Sequence, residues 1–300
     1  MNLDSTDLAL VHLLQEDGRT SYETLAARVG LSRAAARARA LRLTEEGVLR
    51  IVGVIHPAVL GRTVSAHVAI DLVGPAEPVA RTVAGLSEAV FVTLTAGRRP
   101  VIAELRTSDF DALSALVADV ARLPGVRGVD TTPYTRVLKD PYLPVTSPGV
   151  VSLDETDHAI LRALQADGRM SYAELADRIA MSAAAARARS LRLLDAGVFR
   201  VAALVRPGTL GMGHLAGFSM RRSGDVRGAA AVGGLLATEQ VQFAAECVGR
   251  ADVIGTVGGE TLADVLVSLE KLRALDGVHG LESWLHLELV KERYDSLTTS

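Results

Sequence analysis

Cysteine is almost missing. Cys247 stands alone in 300 residues, so no disulfide can close within the chain, and a structural zinc site built on cysteine pairs is excluded. A reducing cytoplasm is the expected home. Lysine is scarce too: Lys139, Lys271 and Lys291 are the only ones, so arginine carries nearly all the positive charge. Together with abundant alanine, that reads as genomic composition bias. Aromatic residues make up only 4%, which leaves alanine, valine and leucine to build the cores. No single sign of charge dominates. With 32 basic and 35 acidic residues the formal charge is -3, so any binding to nucleic acid or acidic lipid needs a local patch. No apolar run approaches the roughly 20 residues of a membrane span. Met1-Asn2-Leu3-Asp4 has neither basic flank nor apolar core, so no signal peptide is expected. What remains is ordinary globular usage, 49% hydrophobic and 22% charged, at a length that suggests two domains.

The chain repeats itself. Residues 3–61 align with 153–211 at a constant shift and without a gap, and about half the positions are identical. Both copies continue to a proline (Pro57, Pro207) and a Leu-Gly pair (Leu60-Gly61, Leu210-Gly211). Later parts diverge but still match in outline: Leu123 to Val126 mirrors Leu275 to Val278, and Tyr142 mirrors Tyr294. The stretch 138–149 joins the copies and holds three prolines, which suggests a stiff, extended linker. The expected division is 1–50 and 153–200 as helical heads, 51–140 and 201–300 as α/β modules, and 141–152 as linker.

Each head opens with three short helices. Asp4 can cap the first, whose apolar stripe is Leu10, Leu13 and Leu14. Gly18 ends it. The second starts near Ser21, and in copy two at the capping box Ser171-x-x-Glu174. Gly30-Leu31 makes a tight turn, Ser32 caps the third helix, and Gly47 stops it. Two short helices across a tight turn, behind a supporting first helix, have helix-turn-helix geometry.

On the third helix Ala36, Ala40 and Leu43 share the core stripe, while Arg33 and Arg37 flank one side and Arg39 and Arg42 the other. Ala34, Ala38 and Leu41 form the outer face. No acid lies between Glu23 and Glu45, or in copy two between Asp177 and Asp195. Arginines on both flanks of a small-residue helix can reach phosphates on both strands while the helix lies in a major groove. The candidate duplex-facing residues are Ser32, Arg33, Ala34, Arg37, Ala38 and Arg42, and in copy two Ser182, Ala184, Arg187, Ala188 and Arg192. Phosphate positioning and DNA shape then carry much of the specificity. Arg42 could instead pair with Glu46, and Arg192 with Asp195. Arg39 and Arg189, nearest the core, could anchor to an acid of the first helix. Ala183 replaces Arg33 in copy two, which predicts weaker binding with a shallower salt dependence there.

Beyond each head the pattern is β-α-β-β-α-β. A lead-out strand at 48–55 precedes strands at 64–72, 89–95, 101–107 and 126–137, with helices at 78–86 and 110–123. Copy two repeats this with strands at 215–220, 241–248, 253–257 and 278–289 and helices at 226–236 and 262–272. The order is that of a ferredoxin-like four-stranded antiparallel sheet with helices on one face. The bare face must be covered, and stacking the two sheets within one chain or between chains would do it.

These features resemble the leucine-responsive/AsnC (feast/famine) family of transcription regulators. The family opening L-D-x-x-D appears as LDSTD at 3–7 and LDETD at 153–157. Its L-x-x-D-G-R-x-S is LQEDGRTS at 14–21 and LQADGRMS at 164–171, and LAARVGLS at 25–32 matches L-A-x-x-V-G-L-S. The later arginine, leucine and G-V fall on Arg39, Leu43 and Gly47-Val48. The resemblance implies an α+β fold of two tandem units, each a winged-type helix-turn-helix followed by a ferredoxin-like βαββαβ effector module. It also implies a DNA-binding regulator that partners double-stranded DNA, forms homo-oligomers and answers to a small effector such as an amino acid; no cofactor is implied. One chain would mimic a family dimer, with readers about one helical turn apart.

Two departures stand out beyond the tandem arrangement. The family's effector-site loop, G-D-Y/F-D, is Gly97-Arg98-Arg99-Pro100 in copy one and Gly249-Arg250-Ala251-Asp252 in copy two. A plain hairpin turn accounts equally well for these glycines. If a ligand binds there, the candidates are Gly97, Arg98, Gly249, Arg250 and Asp252, with Arg98 or Arg250 facing a carboxylate. Leu41 and Leu191 stand where the family is commonly polar.

Enzyme signatures fail. The seven histidines show no metal spacing, and His279 and His286 fall in an expected turn and strand. Gly211-Met-Gly213 and Val257-Gly-Gly-Glu260 read as turns, and no nucleophile elbow or paired-carboxylate signature occurs. The expectation is a regulator and not an enzyme. The alternative is a metabolite-binding module whose heads contact protein partners.

Overall fold

A computed structural model describes residues 3–143, 145, 148, 151–205 and 213–292. Pro207, Leu210, Gly211 and Tyr294 lie outside the described residues. The first half runs α1 (Ser5–Glu16), α2 (Tyr22–Val29), α3 (Arg33–Glu45), β1 (Leu49–Ile55), β2 (Val64–Leu72), α4 (Glu77–Ala84), β3 (Ala89–Ala96), β4 (Val101–Thr107), α5 (Phe110–Ala121) and β5 (Val126–Lys139). The second runs α6 (Glu155–Ala166), α7 (Tyr172–Arg178), α8 (Ala183–Asp195), β6 (Phe199–Val205), β7 (His214–Arg222), α9 (Val226–Ala237), β8 (Val241–Cys247), β9 (Val253–Gly259), α10 (Leu262–Arg273) and β10 (Val278–Glu292). The compact units cut across the repeat: one gathers both helical heads, the other both α/β modules.

In the head unit each helix starts where a side chain can cap it. Asp4 and Asp7 form a reciprocal capping box on α1, and Ser171 with Glu174 does so on α7. Ser32 Oγ accepts the Ala35 N–H at 3.2 Å, and Gly30 and Gly47 take left-handed backbone at φ 69°. Leu10, Leu14, Leu25 and Leu43 bury into one core shared with Ile160, Leu164, Leu175 and Leu193 of the other head. The lead-out strands complete this joint. β1 and β6 pair antiparallel with each other and form a sheet of their own.

The D-G-R run of each copy serves that joint as well as stopping its helix. The Gly18 N–H donates to the Val201 carbonyl at 3.1 Å, and the Gly168 N–H to that of Ile51 at 2.9 Å. Arg19 donates to the carbonyls of Gly168 (2.9 Å) and Met170 (3.1 Å) and lies 4.9 Å over the Tyr172 ring. Arg169 answers with a bond to the Thr20 carbonyl and a position 4.4 Å over Tyr22. The approach is close: a Cβ on Gly168 would sit 2.8 Å from the Val52 carbonyl carbon. Gly168→Ala is therefore expected to cost about 1–3 kcal/mol by overpacking, read by urea unfolding of the helical signal.

Parts of the expected linker stretch are placed by the structure. Leu138 and Lys139 still belong to β5. Tyr142 and Leu143 are buried, Leu143 against Val52, Val54 and Ala202, because apolar side chains gain more from the β1–β6 sheet than from water.

In the second unit the two sheets do not stack face to face as separate layers. They join edge to edge in one closed barrel, ordered β10-β3-β4-β2-β5-β8-β9-β7. β5 and β10 make the closure possible. At 14 and 15 residues they overrun their own sheets: β5 pairs with β2 and then β8, and β10 with β7 and then β3. Closure removes the exposed strand edges. Alternation then sorts the side chains. Val64, Ala66, Val68 and Ile70 of β2 pack with Val79 and Val83 of α4 and Leu113 and Val120 of α5, while Ser65, His67 and Ala69 fall on the opposite face. His279, expected in a turn, lies in β10.

Candidate nucleic-acid interface and a cavity in the barrel

On α3, Ala36, Ala40 and Leu43 are buried, while Ser32, Arg33, Ala34, Arg37 and Ala38 are exposed. On α8, Ser182, Ala184, Arg187, Ala188 and Arg192 are exposed over the buried Ala186, Ser190 and Leu193. Both cap serines are engaged by their own helix, Ser182 Oγ accepting the Ala185 N–H at 3.2 Å.

The arginines divide into two sets. Arg39 Nη1 donates to Asp4 and to Asp7 (2.9 Å), and Arg42 Nη2 donates to Asp7 at 2.7 Å. The second head repeats this, with Arg189 on Asp154 (2.6 Å) and Asp157 (3.0 Å) and Arg192 on Asp157 (2.6 Å). The structure thus places Arg42 and Arg192, expected at the duplex, against the first helix of their own heads. Nor do they reach for Glu46 or Asp195. Long helical side chains lean toward the helix N-terminus, away from those acids and onto α1 and α6. Arg33, Arg37 and Arg187 have no hydrogen bond or ion pair among the described residues and are exposed.

The carboxylates report the same arrangement. A hydrogen bond from Arg39 is the main cause holding Asp4 below its ordinary range. Burial pushes Asp7 up, yet the bonds from Arg42 and Arg39 bring it below its usual value. Asp7 and Asp157 are only 2% and 1% exposed. Sequence reasoning named neither as the partner of Arg42 or Arg192. The signal was available, since Asp4, Asp7, Arg39 and Arg42 recur together in copy two.

The barrel encloses a cavity of about 450 Å³ reached by both hairpin loops that had been singled out. Arg98 and Arg250 line it, as do Arg99, Arg221, Asp130 and His67. Gly97 lies behind them, where a Cβ would come 3.3 Å from Trp284 Cβ. The Gly249 carbonyl accepts from Arg221 Nη2 at 3.3 Å, which braces the second loop. Asp252 is not among the residues that line the cavity; its carboxylate accepts the Arg222 N–H at 2.9 Å and ties the β8–β9 loop to β7. Asp130 accepts from Arg99 and, at 2.8 Å, from Arg250, linking the two loops.

Deeper in, His67 packs 5.4 Å from the Trp284 ring. Burial, and then the nearby His286, lower His67 to about 4, and burial alone lowers His286 to about 4, so both rings are neutral at pH 7. Glu104 and Arg106 form a buried pair at 2.6 Å on β4, and burial raises Glu104 despite its partner. No motif marked these residues. Only strand alternation across a barrel that had not been foreseen would have placed them together.

A family model described as the AsnC-type helix-turn-helix domain matches residues 3–44 and again 153–194. A second, described as a C-terminal dimeric alpha+beta barrel domain, matches residues 56–147. An uncharacterised HTH-type transcriptional regulator of Pyrococcus abyssi is 32% identical over 146 residues, 46% of this chain and 90% of that one. The proline dehydrogenase transcriptional activator of Rhizobium radiobacter is 30% identical over 145 residues, 47% of this chain and 92% of that one. Among solved structures, the siroheme decarboxylase NirDL superposes with a TM-score of 0.68 at 15% identity, covering 96% of this chain and 93% of that one. At that identity the likeness is one of fold alone. No helix among the described residues is long and apolar enough to cross a membrane.

Proposed function

Because the chain belongs to the leucine-responsive/AsnC family of transcription regulators and carries two of its units in tandem, we propose that it reads specific double-stranded DNA with α3 and α8. One observation carries this reading. Once Arg39, Arg42, Arg189 and Arg192 are engaged inside the heads, Arg33, Arg37 and Arg187 remain exposed beside the small outer faces of Ala34, Ala38, Ala184 and Ala188. Those cations suit phosphates, and the alanines suit thymine methyl groups. Work in the cytoplasm and modulation by a small effector held in the barrel complete the proposal. Further association of chains would use helix or loop surfaces, since the barrel already closes on itself. The test is a gel shift against the upstream region of its own gene, at low salt and at about 200 mM. Binding that weakens steeply with salt supports the reading. No binding at low salt overturns it and favours heads that contact protein.

A second reading draws on the fold likeness to a siroheme decarboxylase together with a histidine in an arginine-lined cavity. Carbon dioxide release from siroheme by the purified chain would establish that activity instead.

A further inference from the structure

The barrel cavity is one-sided although the chain is a repeat. Strand register makes the halves comparable: His67 of β2 pairs with Thr132 of β5, and at the equivalent place Gly217 of β7 pairs with Trp284 of β10. The exchange is physical. A Cβ on Gly217 would lie 2.1 Å from Trp284 Nε1, so the only tryptophan of the chain fills the space that a second histidine would need. Two diverged halves line this cavity of about 450 Å³, within the range of roughly 300–1,000 Å³ usual for small-molecule sites.

Its charges are unbalanced. Four arginines and two acids line it. Asp130 is shared by Arg99 and Arg250, and Arg99 also reaches Asp71 at 3.4 Å. Arg221 donates to the carbonyls of Arg250 (2.8 Å) and Gly249 (3.3 Å), which hold its direction without neutralising it. Arg98 has no hydrogen bond or ion pair among the described residues. Counted over the lining, four guanidinium groups against Asp130 and Glu282 leave an excess of two positive charges, with Arg98 in the first half and Arg221 in the second bound to no carboxylate among the described residues. The same lining carries apolar surface from Ile102, Ile254 and the tilted His67–Trp284 pair.

We propose that the cavity binds one organic dicarboxylate per chain, its apolar body against Trp284, one carboxylate facing Arg98 and the other facing Arg221 and Arg250. Guanidinium groups grip carboxylates through two parallel bonds, and a monocarboxylate would leave one of the two halves uncompensated. This deepens, and rests on, reading the barrel as the effector-holding part of the regulator.

Trp284 reports the outcome directly. The full chain is titrated with the aliphatic series from succinate to suberate while Trp284 emission is followed, with hexanoate and inorganic phosphate as controls. At least one dicarboxylate is expected to give a saturable change at one per chain. Hexanoate, and the dicarboxylate with the Arg98→Gln chain, should bind about tenfold or more weakly, as loss of a charge-assisted bond implies. Arg98 is exposed, so its variant should keep the native melting temperature. Arg221→Gln is the second variant. The site is overturned if no dicarboxylate changes the emission, if hexanoate or phosphate binds equally well, or if both variants bind as the parent does. A gel shift without ligand separates the two levels. Duplex binding with no Trp284 response overturns the dicarboxylate site alone, whereas a Trp284 response with no duplex binding overturns the regulator and leaves the site standing.

Discussion

Alanine at Arg37 and Arg187 together is expected to lower affinity for duplex DNA about 60-fold at about 0.1 M salt, on any sequence, and to flatten the plot of log affinity against log salt by about two units. The arithmetic follows from counterion release. Each phosphate neutralised contributes about 0.9 to the slope, so at about 0.1 M it is worth about 0.9 log unit, and two such contacts multiply. The effect should be uniform across sequences, because phosphates carry no base identity. Arg37→Ala alone should flatten the slope by about one. Arg42→Ala should behave differently. Its guanidinium holds Asp7, so its loss should show first as a less stable head. An unchanged salt slope in the double variant would remove these two arginines from the duplex.

Asp7→Ala should lower the stability of the head unit by about 2 kcal/mol. Asp7 completes the capping box of α1 and receives both Arg39 and Arg42 while almost fully buried. Removing one partner of a fully buried pair costs about 3–5 kcal/mol, and the figure is smaller here because both guanidinium groups keep access to water. Chemical unfolding of the helical signal checks it, and an unchanged midpoint would deny Asp7 this role.

Acid should tell the same story. Asp4 and Asp7 sit below their ordinary values when folded. Their contribution is therefore complete above the unfolded carboxylate range, near 4, and is lost as pH falls through the lower folded values. The barrel should weaken earlier. His67 and His286 are held neutral down to about 4, whereas an unfolded histidine takes up a proton near 6.5, so barrel stability should decline as pH falls from about 6.5 to about 4. From pH 8 to pH 3, Trp284 emission should change in the upper window, and the helical signal, to which both units contribute, in both windows. Coincident transitions would contradict the assignment.

How much of this was legible beforehand depends on the range over which each feature is decided. The strands expected at 64–72 and 101–107 are strands over those same residues. The caps at Asp4, Ser32 and Ser171 were readable because a cap joins residues three apart. Arg42 was not readable in the same way. Its sequence neighbours offered Glu46, and only the packing of α3 on α1 brought Asp7 within 2.7 Å. The partner of Asp252 was hidden for a similar reason: only the strand beside it brings the Arg222 N–H to its carboxylate.

By itself the sequence determined the repeat, the helix-turn-helix heads, the order of strands and the family, because periodicity, caps and turn residues act within a few positions of each other. Tertiary structure alone decided that the lead-out strands pair across the repeat, that β5 and β10 close one barrel, and that His67, Arg98, Arg221 and Trp284 meet around one cavity. The physical reason is that a strand carries the same alternating pattern whichever neighbour takes up its N–H and C=O groups. Which edge it joins, and so which side chains come face to face, is settled only when every edge of the folded unit has found a partner.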